Sequence, residues 1–188
     1  MNLINIFLSS ILTDNIILTK FLGICPFIGT SNKEKDALNM GASVTIVLTL
    51  SSIITYFLYH YLLVPTKTEY LETIIFILVI ASLVQLLVIL LKKYSKKIIE
   101  HLGIYLPLIT TNCAILGISL LSISNNYNLL ETIVYALGSG IGFTLVIYIF
   151  ATIREKMSLS DIPKSFKGVP IALIVAGIMA IIFSKYTI

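Results

Sequence analysis

Residues 22–31 read LGICPFIGTS, which sets a cysteine beside a proline, between glycines, at the end of a long apolar run. Proline removes a backbone donor and glycine relaxes the chain, so a helix that reaches this stretch is poorly placed to continue as a regular one. The chain holds one other cysteine, in CAILG at residues 113–117, and the pattern repeats: cysteine, two variable residues, an aliphatic residue, glycine. Pro107, Thr110, Thr111, Asn112 and Gly117 surround the second motif with equally poor helix-forming residues.

The background in which these motifs sit is a membrane chain. Hydrophobic residues make up 57% and charged residues 12% of the sequence, and the mean hydropathy is +1.01, far outside the range of a soluble domain. A helix needs about 20 apolar residues to cross a bilayer. The chain divides into six such runs, approximately Leu3 to Phe27, Ala37 to Leu63, Leu71 to Leu91, Leu102 to Ile123, Leu129 to Ile153 and Val169 to Phe183. The short connecting segments carry most of the charge, and residues 1–188 read as a single membrane domain with no linker. The N-terminal run has no basic leader or small-residue cleavage site and reads as a retained first span.

The basic residues predict the orientation. Lys33, Lys35, Lys92, Lys93, Lys96, Lys97, Arg154, Lys156, Lys164 and Lys167 fall after the first, third and fifth spans, against Lys67 and Lys185 on the other side. By the positive-inside rule both termini face away from the cytoplasm, the periplasm for a bacterial inner membrane. The net charge of +4 therefore reflects topology and lipid contact rather than nucleic acid binding. Six spans form two groups of three, about 1–95 and 96–188. If these halves are repeats, the odd number per half makes them inverted, and the first and fourth spans run in opposite directions. Cys25 and Cys113 then face each other across an in-plane pseudo-twofold axis. The expected fold is an all-α, six-span inverted repeat of three plus three with broken helices at the cysteine motifs.

Broken backbone at membrane depth needs protein or a bound group to satisfy its amides, and the N-terminal ends of half-helices favour an anion. The two cysteines admit several readings on these grounds. They pack as small hydrophobes, or close a disulfide, or ligate a metal-thiolate cluster as Cys25 and Cys113; zinc is less attractive, because His60 and His101 fall near span ends, where a lone histidine is more often interfacial than a ligand. A [2Fe–2S] centre requires four protein ligands, so in the cluster reading a second chain supplies the other pair. Of the remaining features, GSGIG at Gly138 to Gly142 lies inside an apolar run and reads as close helix packing rather than a nucleotide loop. Asp14, Lys20 and Gln85 are polar groups at or near bilayer depth and candidates for function. No arrangement for hydrolytic chemistry is present, so no catalytic residue is assigned. A secondary transporter or a component of an ion channel, with structural cysteines, is the rival class.

The segments LTKFLGICPFIG, LGIYLPLITTNCAILG, IGFTLVIYIFATIREK and SFKGVPIALIVAGIMA resemble, in order and over essentially the whole chain, the family of A subunits of the Rnf (also called Rsx) electron-transport complex. Relatives of that family are the Rnf E subunits and the D and E subunits of the sodium-translocating NADH:quinone reductase. The resemblance implies a six-span protein that pairs with a homologue of opposite orientation, the Rnf E subunit. Each supplies two cysteines, here Cys25 and Cys113, to a shared intramembrane [2Fe–2S] cluster. It further implies electron relay coupled to Na⁺ or H⁺ movement, the B, C, D, E and G subunits of Rnf as partners, and FAD, FMN and further iron–sulfur centres only in those sister chains. Two positions depart from the family pattern. Asp14 precedes Asn15 where a pair of asparagines is usual, and Val88 stands where an acidic residue is expected shortly after Gln85.

Overall fold

A computed structural model describes residues 3–31, 33–94, 106–158, 163 and 166–184. The described residues are helical, with no strand among them. The first apolar run forms two short helices, α1 (Leu3–Ile11) and α2 (Ile24–Gly29), separated by irregular backbone. Next come α3 (Glu34–Leu58), which runs on through a π-helical turn at Tyr59–Leu63 and a short turn at Val64–Thr66, and α4 (Glu72–Tyr94). The second half contains α5 (Leu106–Thr110), α6 (Cys113–Ser124), α7 (Leu129–Ser158) and α8 (Val169–Ser184).

Among the described residues, four stretches are long and apolar enough to cross a membrane: Glu34–Thr66, Glu72–Ile89, Pro107–Ser124 and Leu129–Ser158. They match the second to fifth runs expected from hydropathy. The sixth run is a shorter apolar helix, Val169–Phe183, and the first is not one continuous helix. Its interruption has a local cause. Asn15 donates through Nδ2 to the carbonyl of Ile11 at 3.1 Å and accepts at Oδ1 from the Ile17 amide at 3.2 Å, while Thr13 donates to the Ser9 carbonyl at 3.1 Å. These polar side chains take over partners that a helix would find in its own backbone. Gly23, at φ 82°, then turns the chain into α2 in a left-handed conformation that favours glycine.

Helix ends elsewhere follow ordinary rules. Glu34 and Asp36 occupy the first turn of α3, where carboxylates oppose the helix dipole. The amide of Asn128 donates to Glu131 Oε2 at 2.9 Å, the backward half of a capping box at the start of α7. In α3 the π-helical turn comes just before Pro65, a residue with no N–H for the carbonyl of Tyr61.

The scaffold is the antiparallel pair α3 and α7. A Cβ on Gly41 would lie 2.6 Å from the Thr144 side chain, and one on Gly140 would lie 2.6 Å from that of Thr45. Thr45 and Thr144 each donate to the carbonyl of the glycine four residues earlier on their own helix, at 2.8 Å, and their hydroxyl oxygens stand 3.4 Å apart. The crossing is thus reciprocal: glycine receives threonine in both directions. The other glycines of GSGIG serve the same end. Gly138 faces Phe7 and Ser10 of α1, and Gly142 faces Ile11 and Asn15, so the motif packs helices closely, as its apolar setting suggests. With glycines on several faces, α7 becomes the central element. Its apolar window is 56% buried, against 17% for α4, whose Ile74, Ile77, Leu78, Leu86 and Ile89 remain on the outside.

Overpacking a tight helix crossing costs about 1–3 kcal/mol. Gly140→Ala and Gly41→Ala are therefore expected to lower the apparent Tm of the detergent-solubilised chain by several degrees, roughly 2–4 °C per kcal/mol for a chain of this size. Gly177→Ala is expected to leave it unchanged or raise it, because a Cβ there meets nothing within 4 Å. Differential scanning fluorimetry on the three variants checks the contrast.

Candidate functional site

The two cysteine motifs meet. Cys25 is the second residue of α2 and Cys113 the first of α6, and the amide of Gly23 donates to Cys113 Sγ at 2.9 Å. One backbone group freed by the first break is thereby satisfied by the sulfur at the second. Gly23 has no room for a side chain: a Cβ would lie 3.0 Å from Phe143 Cε2, 3.1 Å from Ala114 Cβ and 3.5 Å from Asn112 Oδ1.

The glycines that close the two motifs explain the repeated spacing. A Cβ on Gly29 would lie 3.2 Å from Leu108 Cδ1, and one on Gly117 would lie 2.5 Å from Leu22 Cδ1. In each half, the glycine one turn beyond the cysteine receives a leucine from the chain leading to the other cysteine. The two broken spans are interlocked through matching positions. Asn112 caps α6 by accepting the Ala114 amide at Oδ1, 3.0 Å away, which fixes Cys113 at the first turn.

Contacts from α7 and from the turn that follows α2 brace the far end of α2. Phe27 stacks on Phe150 with ring centroids 4.1 Å apart. Arg154 donates through one terminal nitrogen to the Ile28 carbonyl at 2.8 Å and to Ser31 Oγ at 2.7 Å, and its guanidinium lies 5.9 Å from the Phe150 ring centroid. Thr30 supplies the last, donating from both its amide and its hydroxyl to the Pro26 carbonyl. The carbonyl end of this short helix is thus held by a cation and hydroxyls, a favourable arrangement for the negative end of a helix dipole. Its other end carries Cys25.

Both thiols are free, Cys25 exposed and Cys113 half-buried, so the disulfide reading does not hold in this structure. Sulfur is a good ligand for soft metal ions and iron–sulfur groups once deprotonated. The chemistry of the donor set fits half of a four-thiolate site: two cysteines on rigid, braced backbone, one of them open to a neighbour.

The other described sequence candidates are exposed. Asp14 is exposed and accepts from Ser9 Oγ at 3.0 Å. Lys20 is exposed on the irregular stretch between α1 and α2, and Gln85 is exposed on α4. His60 stacks on Tyr56, ring centroids 4.4 Å apart, at a small cavity shared with Tyr127 near the far end of α6 from Cys113. Burial raises the Tyr127 phenol above its ordinary value, and the charges of Asp14 and then Glu131 add to the effect. His101 falls outside the described residues. Sequence reasoning did not single out Arg154 or assign Asn112 a role. Arg154 did leave a mark, as the single arginine in a chain whose other basic residues are lysines.

Comparison with known proteins identifies a membrane-protein family over nearly the whole chain. A family model described as "Rnf-Nqr subunit, membrane protein" matches residues 3–188. The A subunit of the Na(+)-translocating ferredoxin:NAD(+) oxidoreductase complex of Acetobacterium woodii is 51% identical over 187 residues, covering 100% of this chain and 97% of the relative. The A subunit of the ion-translocating oxidoreductase complex of Aeromonas hydrophila is 46% identical over 178 residues, 95% of this chain and 92% of its own. Its namesake from Vibrio atlanticus is 47% identical over 178 residues, 95% and 93% respectively.

Removing the Arg154 brace leaves the Ile28 carbonyl without its cationic partner. A hydrogen bond to a charged group is worth about 1.5–3 kcal/mol, so Arg154→Ala is expected to lower the apparent Tm by roughly 3–12 °C. Arg154→Lys keeps the charge but not the planar donor fork and is expected to recover only part of the loss. Equal Tm values for wild type and Arg154→Ala would show that the brace carries no weight.

Proposed function

The chain belongs to the Rnf-Nqr family of membrane subunits, and from that premise we propose that it serves an ion-translocating oxidoreductase complex as an electron relay, with Cys25 and Cys113 as half the ligands of a shared [2Fe–2S] cluster. The observation that carries this reading is the meeting of the two motifs: Gly23 donates to Cys113 Sγ while Cys25 stands exposed two residues further along the same turn. When bound, the cluster supplies one-electron transfer within the membrane.

The protein's own part is to present two sulfurs to that group. Cysteine binds metal as the thiolate, and a metal group would supply the compensating positive charge. The Gly23 amide places a donor on the Cys113 sulfur, the kind of contact that orients and tunes a metal ligand. Two thiolates fall short of the four that a [2Fe–2S] centre takes, so the remaining pair comes from a homologous chain of opposite orientation, the E subunit of the complex. The exposure of Cys25 supports a site completed from outside the chain. The reciprocal fits of Gly41 with Thr144 and Gly140 with Thr45, and of Gly29 with Leu108 and Gly117 with Leu22, support the six-span inverted repeat on which that pairing depends. In the same reading both termini are periplasmic in a bacterial inner membrane, ion movement is Na⁺ or H⁺, and flavins and further iron–sulfur centres reside in the sister B, C, D, E and G subunits.

The test is to co-purify the chain with its opposite-orientation homologue and compare it with Cys25→Ser and Cys113→Ser. Wild type is expected to contain about two irons per heterodimer and to give a dithionite-dependent EPR signal that the separate chain lacks. Each serine variant is expected to insert and pair normally but to lose iron and signal. Retention of both by the two variants would make the thiols packing residues.

A further inference from the structure

The proposed site leaves one buried group unused. Among the described residues, five buried side-chain polar atoms have no hydrogen-bond partner: Ser51 Oγ, Ser52 Oγ, Thr132 Oγ1, Ser139 Oγ and Asn112 Nδ2. The first four are hydroxyls on α3 and α7, where rotation about one bond can aim them at a backbone carbonyl of the preceding turn. Asn112 has no such freedom. Its Oδ1 is committed to the Ala114 amide at 3.0 Å, so the cap itself decides which end of the amide is nitrogen and fixes the plane in which its two hydrogens lie. The residue is 5% exposed, and leaving such a donor unpaired carries a desolvation cost of about 1–3 kcal/mol.

Capping does not require that cost. Serine, threonine and aspartate cap a helix about as well and bring no buried NH₂ group. The amide nitrogen is therefore surplus to the cap. Its neighbourhood indicates what it is for: Asn112 directly precedes Cys113, its Oδ1 lies 3.5 Å from the position a Cβ would take on Gly23, and Gly23 itself donates to Cys113 Sγ. What this break lacks is an acceptor, and the sulfur atoms of a metal-thiolate group are acceptors carrying negative charge.

We propose that the side-chain amide of Asn112 is a hydrogen-bond donor to the sulfur of the iron–sulfur group bound at Cys25 and Cys113, and that it sets how readily this group accepts an electron. The inference rests on the electron-relay reading above and deepens it. Asn112 is in this sense a positioning and tuning residue rather than a ligand. Donors to cluster sulfurs stabilise the reduced, more negative state and raise the reduction potential, so removal of this donor lowers the potential without removing a ligand.

The experiment uses the heterodimer with its homologous partner. Asn112→Ser keeps a capping oxygen and loses the NH₂ donor, and Asn112→Ala loses both. Iron content and the midpoint potential from an EPR-monitored titration are measured for each. Asn112→Ser is expected to retain iron and to shift the reduction equilibrium about tenfold toward the oxidised form, which is ~59 mV for a one-electron couple. Wild-type protein carrying ¹⁵N only in asparagine side-chain amides is expected to show, by pulsed EPR, a nitrogen coupling that Asn112→Ser lacks. An unchanged midpoint in an iron-replete Asn112→Ser heterodimer overturns the proposal. If the variants do not assemble, absence of the coupling in wild type overturns it, and its presence supports it. A wild-type heterodimer with neither iron nor signal would instead refute the electron-relay reading itself, so the two failures are distinguishable.

Discussion

The hydrogen bond from the Gly23 amide to Cys113 Sγ joins two interruptions that would each be untenable alone. In hydrocarbon there is no water to satisfy a broken helix, and each unpaired backbone group costs several kcal/mol. Each break is instead satisfied by short polar side chains of its own and by the other break. Asn15 and Thr30 serve the first, Asn112 the second, and Cys113 accepts across the gap. The leucines that enter Gly29 and Gly117 add a steric lock to the polar one. The two cysteines are consequently held by backbone that has little alternative conformation available, as the proposed ligand role requires.

That arrangement depends on the crossing of α3 and α7. Its glycine–threonine exchange brings two long helices close enough for α7 to touch α1 through Gly138 and Gly142, the Cys25 half-helix through Phe150 and Arg154, and Gly23 through Phe143. A single helix thus connects the packing core with the first break. Arg154 has a double consequence here. It supplies the charge that a helix carbonyl end favours, and it ties the end of α7 to the segment carrying Cys25.

Much of this was legible in the sequence for reasons of length and composition. Apolar runs of sufficient length marked the four long helical stretches, and the repeated Cys–x–x–aliphatic–Gly pattern marked the breaks and their pairing. The first span was less legible, because hydropathy registers Leu12, Ile16, Ile17 and Leu18 as apolar without registering that Thr13 and Asn15 compete for backbone partners. The closeness of the motifs was implied only by the symmetry of an inverted repeat. Which atoms meet, Gly23 with Cys113 Sγ and Leu22 with Gly117, depends on side-chain packing between distant segments that no local pattern encodes. Asn112 could be read from sequence as a helix cap, but its surplus amide hydrogen donors emerge only once the burial of the site is known.

A cryo-EM map of this chain assembled with its partner subunits tests the account most directly. The account requires strong, compact density joining Cys25 and Cys113 to two cysteines of one neighbouring chain, with the Gly23 and Asn112 donors beside it. A map in which Cys25 faces lipid and Cys113 packs only against its own chain, with no such density between them, would contradict it.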